Sequence, residues 1–345
     1  MSMKRVYNLI RLNRVVKNHR IKFLGILALH LLKSRHLFLR FDPVIACNLH
    51  CQMCYFSDKD FRKKNKGALG AQEIDRIAEM FFSRALQVVF GCGAEPTLYK
   101  NFPDLVKIAK SHGVPNVGLV SNGQLITDDH IEQLIENGLD ELLLSVHGVH
   151  KESYEKFMAR SDYAKFHAVL ASFDRLKRAH GVTDPALRLN YTVNPDNLDE
   201  LYDFFDVFGG YDIHTLQVRP IMDIGQSAYR NFDLDQYVGK YNALVDWLNS
   251  ECADRGITFL ARKKDPGYKA DQEDYGSIAL DSVLRYVSPQ RVWRTDFDWK
   301  NETYDAFCHR IGFTRSLVRG VFSSKKRMTR DNPFKGTLTL SYDVL

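Results

Sequence analysis

The feature that most constrains the fold of this chain is a regular alternation between short apolar runs and longer segments of helical periodicity. Six apolar runs have the length and composition of strands, and each is followed by a helical segment, the last of them at 237–248. The predicted strands are 44–46, 87–90, 117–120, 141–146, 187–193 and 215–218, with 257–260 as a further candidate. This order predicts an α/β protein with a parallel sheet and right-handed crossovers.

The composition agrees with a folded globular protein and argues against several other classes. Apolar residues make up 45% of the 345 residues and charged residues 26%, so neither a wholly disordered chain nor a coiled coil is expected. No apolar run reaches the roughly 18 residues that a membrane-spanning helix needs. The length fits one barrel-sized α/β domain with additions at both ends.

The polar segments of the chain follow directly after the predicted strands. In parallel α/β folds the carboxyl ends of the strands carry the chemistry, because they meet at one edge of the sheet. These segments are a cysteine-rich loop, 91–96, 121–123, 145–148, 190–194 and 219–220. A functional site is therefore expected at this edge.

Three of the six cysteines fall within eight residues, in Cys47-Asn-Leu-His-Cys51-Gln-Met-Cys54. In a chain of this size, such a cluster is more typical of a metal or redox site than of a disulfide scaffold. Three thiolates leave one iron of a four-iron cluster without a protein ligand, and a catalytic centre needs such an open position. The alternative is a zinc site with His50 as fourth ligand, although no second ligand pair has the spacing of a structural zinc module.

The C-x₃-C-x₂-C spacing resembles that of the radical S-adenosylmethionine (SAM) superfamily. Four further segments resemble motifs of that family in the same order: Gly-Ala-Glu-Pro at 93–96, Ser-Asn-Gly at 121–123, the strand end at 145–148, and Arg-Pro at 219–220. The likeness covers about residues 38–225, and five ordered motifs are more specific than any one alone. It implies that Cys47, Cys51 and Cys54 hold a [4Fe–4S] cluster whose fourth iron is chelated by SAM.

The resemblance also implies a reaction. A reduced cluster passes one electron to SAM, the C5′–S bond breaks, and the resulting 5′-deoxyadenosyl radical abstracts hydrogen from the substrate. We accordingly predict a partial (β/α)₆ TIM-like barrel at 37–260. A basic amphipathic helical extension at 1–36 precedes it, and a C-terminal extension with a basic tail at 261–345 follows it.

Several residues are candidates for contact with SAM because of this resemblance and their chemistry. Glu95 offers a carboxylate to the SAM ammonium group, and Gly93 lets the backbone approach the methionine moiety. Arg219 is a candidate for the SAM carboxylate or an acidic substrate, or else forms a structural ion pair. Met53 or Tyr55 is the candidate for contact with the adenine of SAM. The short polar side chains expected near the SAM carboxylate or ribose are Ser121, Asn122 and Ser145. Asn190 and Asn194 are weaker candidates for the ribose.

The remaining cysteines and one departure from the family motif limit what the resemblance implies. Ala94 stands where the family motif has a second glycine, which is tolerated if its φ stays negative. Cys92 is expected to be either buried or close to the substrate. Only Cys252 and Cys308 lie downstream, too few for a second four-cysteine cluster, so one cluster is expected. Cys308 is a weak candidate for a catalytic hydrogen donor, and a buried structural thiol is the alternative.

The two ends of the chain are basic and flank an acidic middle. Residues 1–41 carry ten Lys and Arg and no Asp or Glu, and 309–345 carry eight against Asp331 and Asp343. Residues 1–33 have the pattern of one or two amphipathic helices, which favours contact with an anionic membrane surface or capping of the barrel. A nucleic acid is the competing anionic partner.

The function expected from these features is that of a radical SAM enzyme acting on an anionic or membrane-associated substrate. Its electron donor is expected to be a flavodoxin or a ferredoxin. Because the cluster needs reducing conditions, we expect a cytoplasmic location, with peripheral membrane attachment as an option. Two other classes stay open: a zinc-stabilised binding module for nucleic acid or protein without catalysis, and a cluster-binding scaffold that has lost SAM turnover.

Overall fold

The computed structural model describes residues 16, 18–221, 227–229, 235–263, 275–324, 327–328 and 333–334. The strands in chain order are β1 (Leu37–Phe41), β2 (Val44–Ile45), β3 (Gly67–Ala68), β4 (Ala85–Phe90), β5 (Asn116–Ser121), β6 (Glu141–Val146), β7 (Ala186–Val193), β8 (Ile213–Pro220), β9 (Thr258–Leu260), β10 (Leu284–Ser288) and β11 (Arg291–Val292).

The helices alternate with these strands. They are α1 (His19–Leu31), α2 (Lys59–Lys64), α3 (Ala71–Phe81), α4 (Phe102–Ser111), α5 (Asp128–Glu136), α6 (Lys151–Phe157), α7 (Tyr163–His180), α8 (Phe204–Phe208), α9 (Val238–Asp254), α10 (Tyr275–Val283), α11 (Tyr304–Arg310) and α12 (Phe313–Phe322). The ends follow local chemistry: the Thr127 hydroxyl caps the start of α5, and Gly181, with a left-handed φ of 65°, ends α7.

Nine of the strands form one sheet, in the order β11-β10-β1-β4-β5-β6-β7-β8-β9. Neighbouring strands are parallel except for the pair β10 and β11. Over the described residues the two outermost strands do not pair with each other, so the sheet is open. The fold is a partial (β/α) barrel, as the resemblance stated above implies.

The position of the first barrel strand differs from the prediction. That place belongs to β1. A strand does form at Val44–Ile45, but it pairs antiparallel with β3 outside the barrel sheet, so its predicted role as the first barrel strand is wrong. The apolar run of β1 is interrupted by Arg40, which hydrogen-bonds Gln87 of the adjacent strand. The other predicted strands correspond to β4 through β9.

The sheet also continues beyond the predicted boundary at residue 260. Strand β10 pairs in parallel with β1, with Tyr286 opposite Arg40. Behind it, the Arg285 guanidinium lies 3.8 Å from the ring centroid of Trp293 and donates a hydrogen bond to the Tyr304 hydroxyl. The C-terminal segment therefore extends the barrel edge next to the first strand.

The two faces of the sheet have different chemistry. In β7, Leu187, Leu189 and Tyr191 belong to the apolar core that packs against the outer helices. Since side chains alternate along a strand, Arg188 and Asn190 point to the inner face, where the Arg188 guanidinium donates to Asn190. The inner face of β7 is therefore polar.

Helix α1 packs antiparallel on α12, outside the barrel. The His19 imidazole contacts the Ser323 carbonyl at 3.0 Å, and His30 contacts the Thr314 hydroxyl at 3.3 Å near the opposite ends of the pair. Among the described residues, no helix is long and apolar enough to cross a membrane.

The α1–α12 contact depends on a glycine, which gives a stability prediction. A Cβ at Gly320 would lie 2.6 Å from the ring of Phe23, which is only 1% exposed. We expect Gly320→Ala to lower the free energy of unfolding by about 1–3 kcal/mol through overpacking, measured by chemical denaturation. The matched control is Gly25→Ala on α1, where a Cβ meets no atom within 4 Å, so the usual helix preference for alanine should raise stability slightly. Equal effects of the two substitutions would contradict this packing.

Candidate active site

The cysteine loop lies at the carboxyl end of the first strands and is held by backbone and sulfur hydrogen bonds. The Glu95 N–H donates to the Ala46 carbonyl at 2.9 Å, which joins this loop to the loop after β4. The Leu49 N–H donates to the Cys47 sulfur at 3.4 Å, and the Phe56 N–H donates to the Cys54 sulfur at 3.5 Å. Such N–H···S bonds stabilise thiolates that ligate iron.

The three thiols are free, partly buried and close enough to influence one another. Burial raises the pKa of Cys47 to about 12, and burial together with the neighbouring Cys54 and Cys47 thiols raises the pKa of Cys51 far above its usual value. Metal ligation deprotonates such thiols outright. A buried, sulfur-only donor set in one short loop fits an iron–sulfur cluster.

The cysteine loop differs from a mononuclear metal site, in which all ligands converge on one ion. Over the part of the chain that the structure describes, no three His, Cys, Asp or Glu side chains form a group that could hold one ion. The cysteines of a four-iron cluster each bind a different iron and need not converge on one point. His50, the fourth ligand of the alternative zinc site, has its pKa lowered by burial and by nearby Arg62, Arg160 and Lys59.

Glu95 is the buried carboxylate of the site, at 3% exposure. Its Oε1 accepts hydrogen bonds from the Ser121 hydroxyl at 2.8 Å and from the Thr97 hydroxyl and N–H at 2.7 and 3.2 Å. Its Oε2 accepts from the Asn122 N–H at 2.9 Å. Burial raises the pKa of Glu95, whereas the donors lower it and favour the ionised form. Since an oxygen of this kind can accept two bonds, Oε2 keeps capacity for a further donor.

Asp42 organises the loop that carries Glu95, and sequence reasoning missed it. This carboxylate is 1% exposed and accepts from the Cys92, Gly93 and Ala94 N–H groups at 2.7, 3.0 and 3.3 Å. The Tyr286 hydroxyl of β10 donates to its Oδ2 at 2.6 Å. Burial raises the pKa of Asp42, and these donors oppose that effect. Asp42 thus fixes three successive peptide groups of the loop.

Gly93 is the point where the two loops come closest. The Tyr55 hydroxyl of the cysteine-loop side donates to the Gly93 carbonyl. A Cβ at residue 93 would lie 2.6 Å from that hydroxyl and 3.1 Å from Asp42 Oδ2. Tyr55, a candidate for adenine contact, is therefore placed as a bridge between the loops.

This close approach predicts a loss of cluster binding on adding a methyl group. We expect Gly93→Ala to lower the iron content per chain after anaerobic reconstitution, and to lower stability by about 1–3 kcal/mol. Ala94→Gly is the matched control, because it changes the adjacent residue and removes a methyl group instead. Unchanged iron content in Gly93→Ala would contradict the prediction.

The other polar candidates fall into two groups. Asn122 lies at the cysteine loop, since its side-chain N–H donates to Asn48 at 2.8 Å and lies 4.0 Å from the Cys47 sulfur. Ser145 and Asn190 are paired in register on β6 and β7, on the inner face of the barrel. Arg219 lies two residues beyond Gln217 on β8, so it also faces inward.

Met53, a residue of the cysteine loop, is brought together with Asn194. The Asn194 amide lies 3.1 Å from the Met53 sulfur, and both residues are buried. Met53 packs with Phe157 and Ile221. Met53 is thus placed in an apolar pocket beside the cysteine loop, and its contact with adenine stays a prediction.

The cysteines outside the loop have different surroundings. Cys308 is 3% exposed among the aromatic residues behind β10, where burial raises its pKa to about 11. Its neighbours there are Arg285 and Tyr304, on the side opposite to Tyr286, so Cys308 does not face the barrel interior. Cys252 is buried on α9. Ala94 is not among the non-glycine residues with positive φ.

The chain is similar in sequence to proteins of known family. The family model described as "Radical SAM superfamily" matches residues 43–208. A probable GTP 3′,8-cyclase of Sulfolobus acidocaldarius is 23% identical over 255 residues, covering 73% of this chain and 74% of the relative. A protein of the same name from Saccharolobus solfataricus is 25% identical over 213 residues, covering 59% of this chain and 64% of the relative.

Solved structures show the same fold. SuiB of Streptococcus suis bound to S-adenosylmethionine superposes with a TM-score of 0.61 at 16% identity, covering 84% of this chain and 68% of SuiB. AdoMet-bound anSMEcpe gives a TM-score of 0.51 at 19% identity, covering 65% of this chain and 63% of that one. At these identities the likeness concerns the fold alone.

The fold is a partial barrel, and its loop of three thiols fits an iron–sulfur centre. Residues 43–208 form a radical SAM domain, which identifies the chain as a radical SAM enzyme. Its cofactors are accordingly a [4Fe–4S] cluster and SAM, and it acts on a substrate with electrons taken from a reductant.

Proposed function

We propose that this enzyme binds its cluster through Cys47, Cys51 and Cys54, holds SAM beside Glu95, and abstracts hydrogen from an anionic substrate inside the barrel. The observation that carries the proposal is the direct bonding between the loops. Glu95 accepts from the Ser121 hydroxyl and from the Asn122 N–H, while the Asn122 side chain contacts the cysteine loop. These contacts support one site at the carboxyl ends of β4 and β5.

When bound, the cluster and SAM supply hydrogen-atom abstraction through reductive cleavage of SAM. The protein positions the reactants and keeps water away. Glu95 Oε2 has acceptor capacity for an ammonium group, and the four donors that converge on the carboxylate favour its ionised form. Asp42 holds the backbone on which Glu95 stands.

The charge of the barrel interior supports an anionic substrate. Strands β1 and β4 through β8 contain the arginines Arg40, Arg188 and Arg219, and Glu141 as their one carboxylate. The Arg188 and Glu141 side chains lie 3.7 Å apart, and Asp42 and Glu95 add two carboxylates at the strand ends, so the cation proposed to bind an anion is the inward-facing Arg219. A phosphorylated substrate belongs to the chemical class that such arginines bind. The archaeal relatives are named for a reaction on GTP, so GTP is the first substrate to test.

Electrons are proposed to come from a flavodoxin or a ferredoxin. The test is anaerobic reconstitution with iron and sulfide, followed by addition of SAM and dithionite. We expect a brown protein that forms 5′-deoxyadenosine, and Cys51→Ala should abolish both the colour and the product. Cys252→Ala is the matched control, because it removes a buried thiol on α9, outside the cysteine loop.

The substrate is then addressed with the active protein. GTP and other phosphorylated compounds should raise the rate of 5′-deoxyadenosine formation, and Arg219→Gln should remove that increase while leaving the substrate-free rate intact. A colourless protein with stoichiometric zinc would contradict the proposal in favour of a zinc module. A brown protein inert to SAM would contradict it in favour of a scaffold.

A further inference from the structure

Helix α1 is apolar on its outward face as well as on the face that it buries. Phe23 is buried against α12, so α12 covers this side of the helix. On the other side Ile21, Leu24, Leu31 and Leu32 are 57%, 55%, 60% and 74% exposed. A helix that is apolar all round is normally buried on all sides. This face therefore has the composition of a covered surface.

Helix α12, packed against α1, presents a second exposed set. Arg315, Val318, Arg319 and Phe322 are spaced by three and four residues, so they share one face. All four are exposed, and Phe322 is 77% exposed at the end of α12, next to Ser323, which contacts His19. Exposed aromatic and arginine side chains thus lie near the start of α1.

The charge of both helices has one sign. Neither α1 nor α12 contains Asp or Glu, while they contribute Arg20, Lys22, Arg315 and Arg319. The carboxylate of Asp305 on α11 is bonded to Arg84 at 2.6 Å and to Lys33 at 3.2 Å. The basic helices α1 and α12, far apart in sequence, therefore meet in one place.

We propose that α1 and α12 form a docking surface for an anionic lipid bilayer. Exposed leucine and isoleucine flanked by Lys and Arg is the composition of a helix that lies in the membrane interface. A second copy of this chain fits less well, because a two-fold contact would bring the basic helices face to face. A nucleic acid would use the cations and leave the apolar face uncovered. This inference does not depend on which substrate the barrel takes.

The test is flotation of the full-length, anaerobically reconstituted protein with vesicles of phosphatidylglycerol and phosphatidylcholine, beside vesicles of phosphatidylcholine alone. We expect the protein to float with the anionic vesicles and to remain below with the neutral ones. Leu24→Ser/Leu31→Ser should reduce the bound fraction roughly tenfold, because it removes apolar surface without changing charge. Arg315→Gln/Arg319→Gln should also weaken binding, more so at low salt.

The matched control is Val182→Ser, at the end of α7, where a valine is 39% exposed away from both helices. It should bind like the unsubstituted protein, and circular dichroism with 5′-deoxyadenosine formation verifies the fold of every variant. The proposal is overturned if anionic vesicles are not bound, or if the two leucine substitutions leave binding unchanged. A concentration-dependent dimer abolished by the leucine substitutions, without vesicle binding, would assign the face to self-association instead.

Discussion

Replacing Glu95 with glutamine should weaken SAM binding by about tenfold to a hundredfold while the barrel stays folded. The side chain keeps its size, but the amide carries no negative charge for an ammonium group. Its N–H₂ must also face either the Asn122 N–H or the Ser121 and Thr97 donors, all of which need an acceptor. The measurement is anaerobic titration of the cluster-loaded protein with SAM by calorimetry.

Glu200→Gln provides the matched control for this substitution. Glu200 accepts from the Val149 N–H at 2.9 Å and from the Ser153 hydroxyl, outside the candidate site. It should lose some stability and no SAM affinity. If Glu95→Gln binds SAM as tightly as the unsubstituted protein, Glu95 does not face the ammonium group and the placement of SAM proposed above is wrong.

Removing the Asp42 carboxylate should lower both the stability of the protein and its iron content. Asp42→Ala leaves the Cys92, Gly93 and Ala94 N–H groups and the Tyr286 hydroxyl without their acceptor in a buried place. We expect a loss of about 3 kcal/mol in the free energy of unfolding, and a lower iron content after reconstitution. Chemical denaturation and iron analysis measure the two effects.

Substitutions that remove less of this contact separate the contributions of Asp42 and Tyr286. Tyr286→Phe removes one donor and should cost about 1 kcal/mol, while Asp42→Asn keeps one acceptor oxygen and should fall between the two. Combined with Asp42→Ala, Tyr286→Phe should add little, because its partner is already gone. Full additivity of the two losses would show that Tyr286 and Asp42 do not act as a pair.

The sequence predicted the class of fold and the cysteine loop, and its failures have identifiable causes. Asp42 was missed because the first strand was placed at 44–46, which puts this carboxylate before the strand instead of at its carboxyl end. Tyr286 was missed because its strand is five residues long and lies in a segment without clear periodicity. Short strands are fixed by their partners in the sheet more than by local preference.

The polar inner face of β7 was present in the sequence, but the strand was interpreted as an apolar run. In β7, polar residues at 188, 190 and 192 alternate with apolar ones, which is the pattern of a strand with one polar face. Asn190 and Arg219 were predicted individually for SAM contact, and the alternation now puts both on the inner face together with Arg188.

The first helix shows a different limit of sequence reasoning. The pattern at 1–33 predicts an amphipathic helix with Lys and Arg on one face and Phe and Leu on the other. In the structure, Phe23 is buried against α12 while Leu24 is 55% exposed, because α12 covers only part of the apolar surface of α1. A local pattern does not reveal a partner about 300 residues later in the chain.

The bond between Tyr286 and Asp42 has a consequence for the order of events during translation. The two residues are 244 positions apart, so a ribosome adding about 5–20 residues per second needs roughly 10–50 s between them. During that interval the nascent chain has its cysteines and Glu95 but lacks the tyrosine that completes the support of their loop. We expect productive iron–sulfur delivery to follow synthesis of β10, which would make cluster insertion a late, nearly post-translational step that a ribosome-arrested chain ending at residue 260 cannot reach.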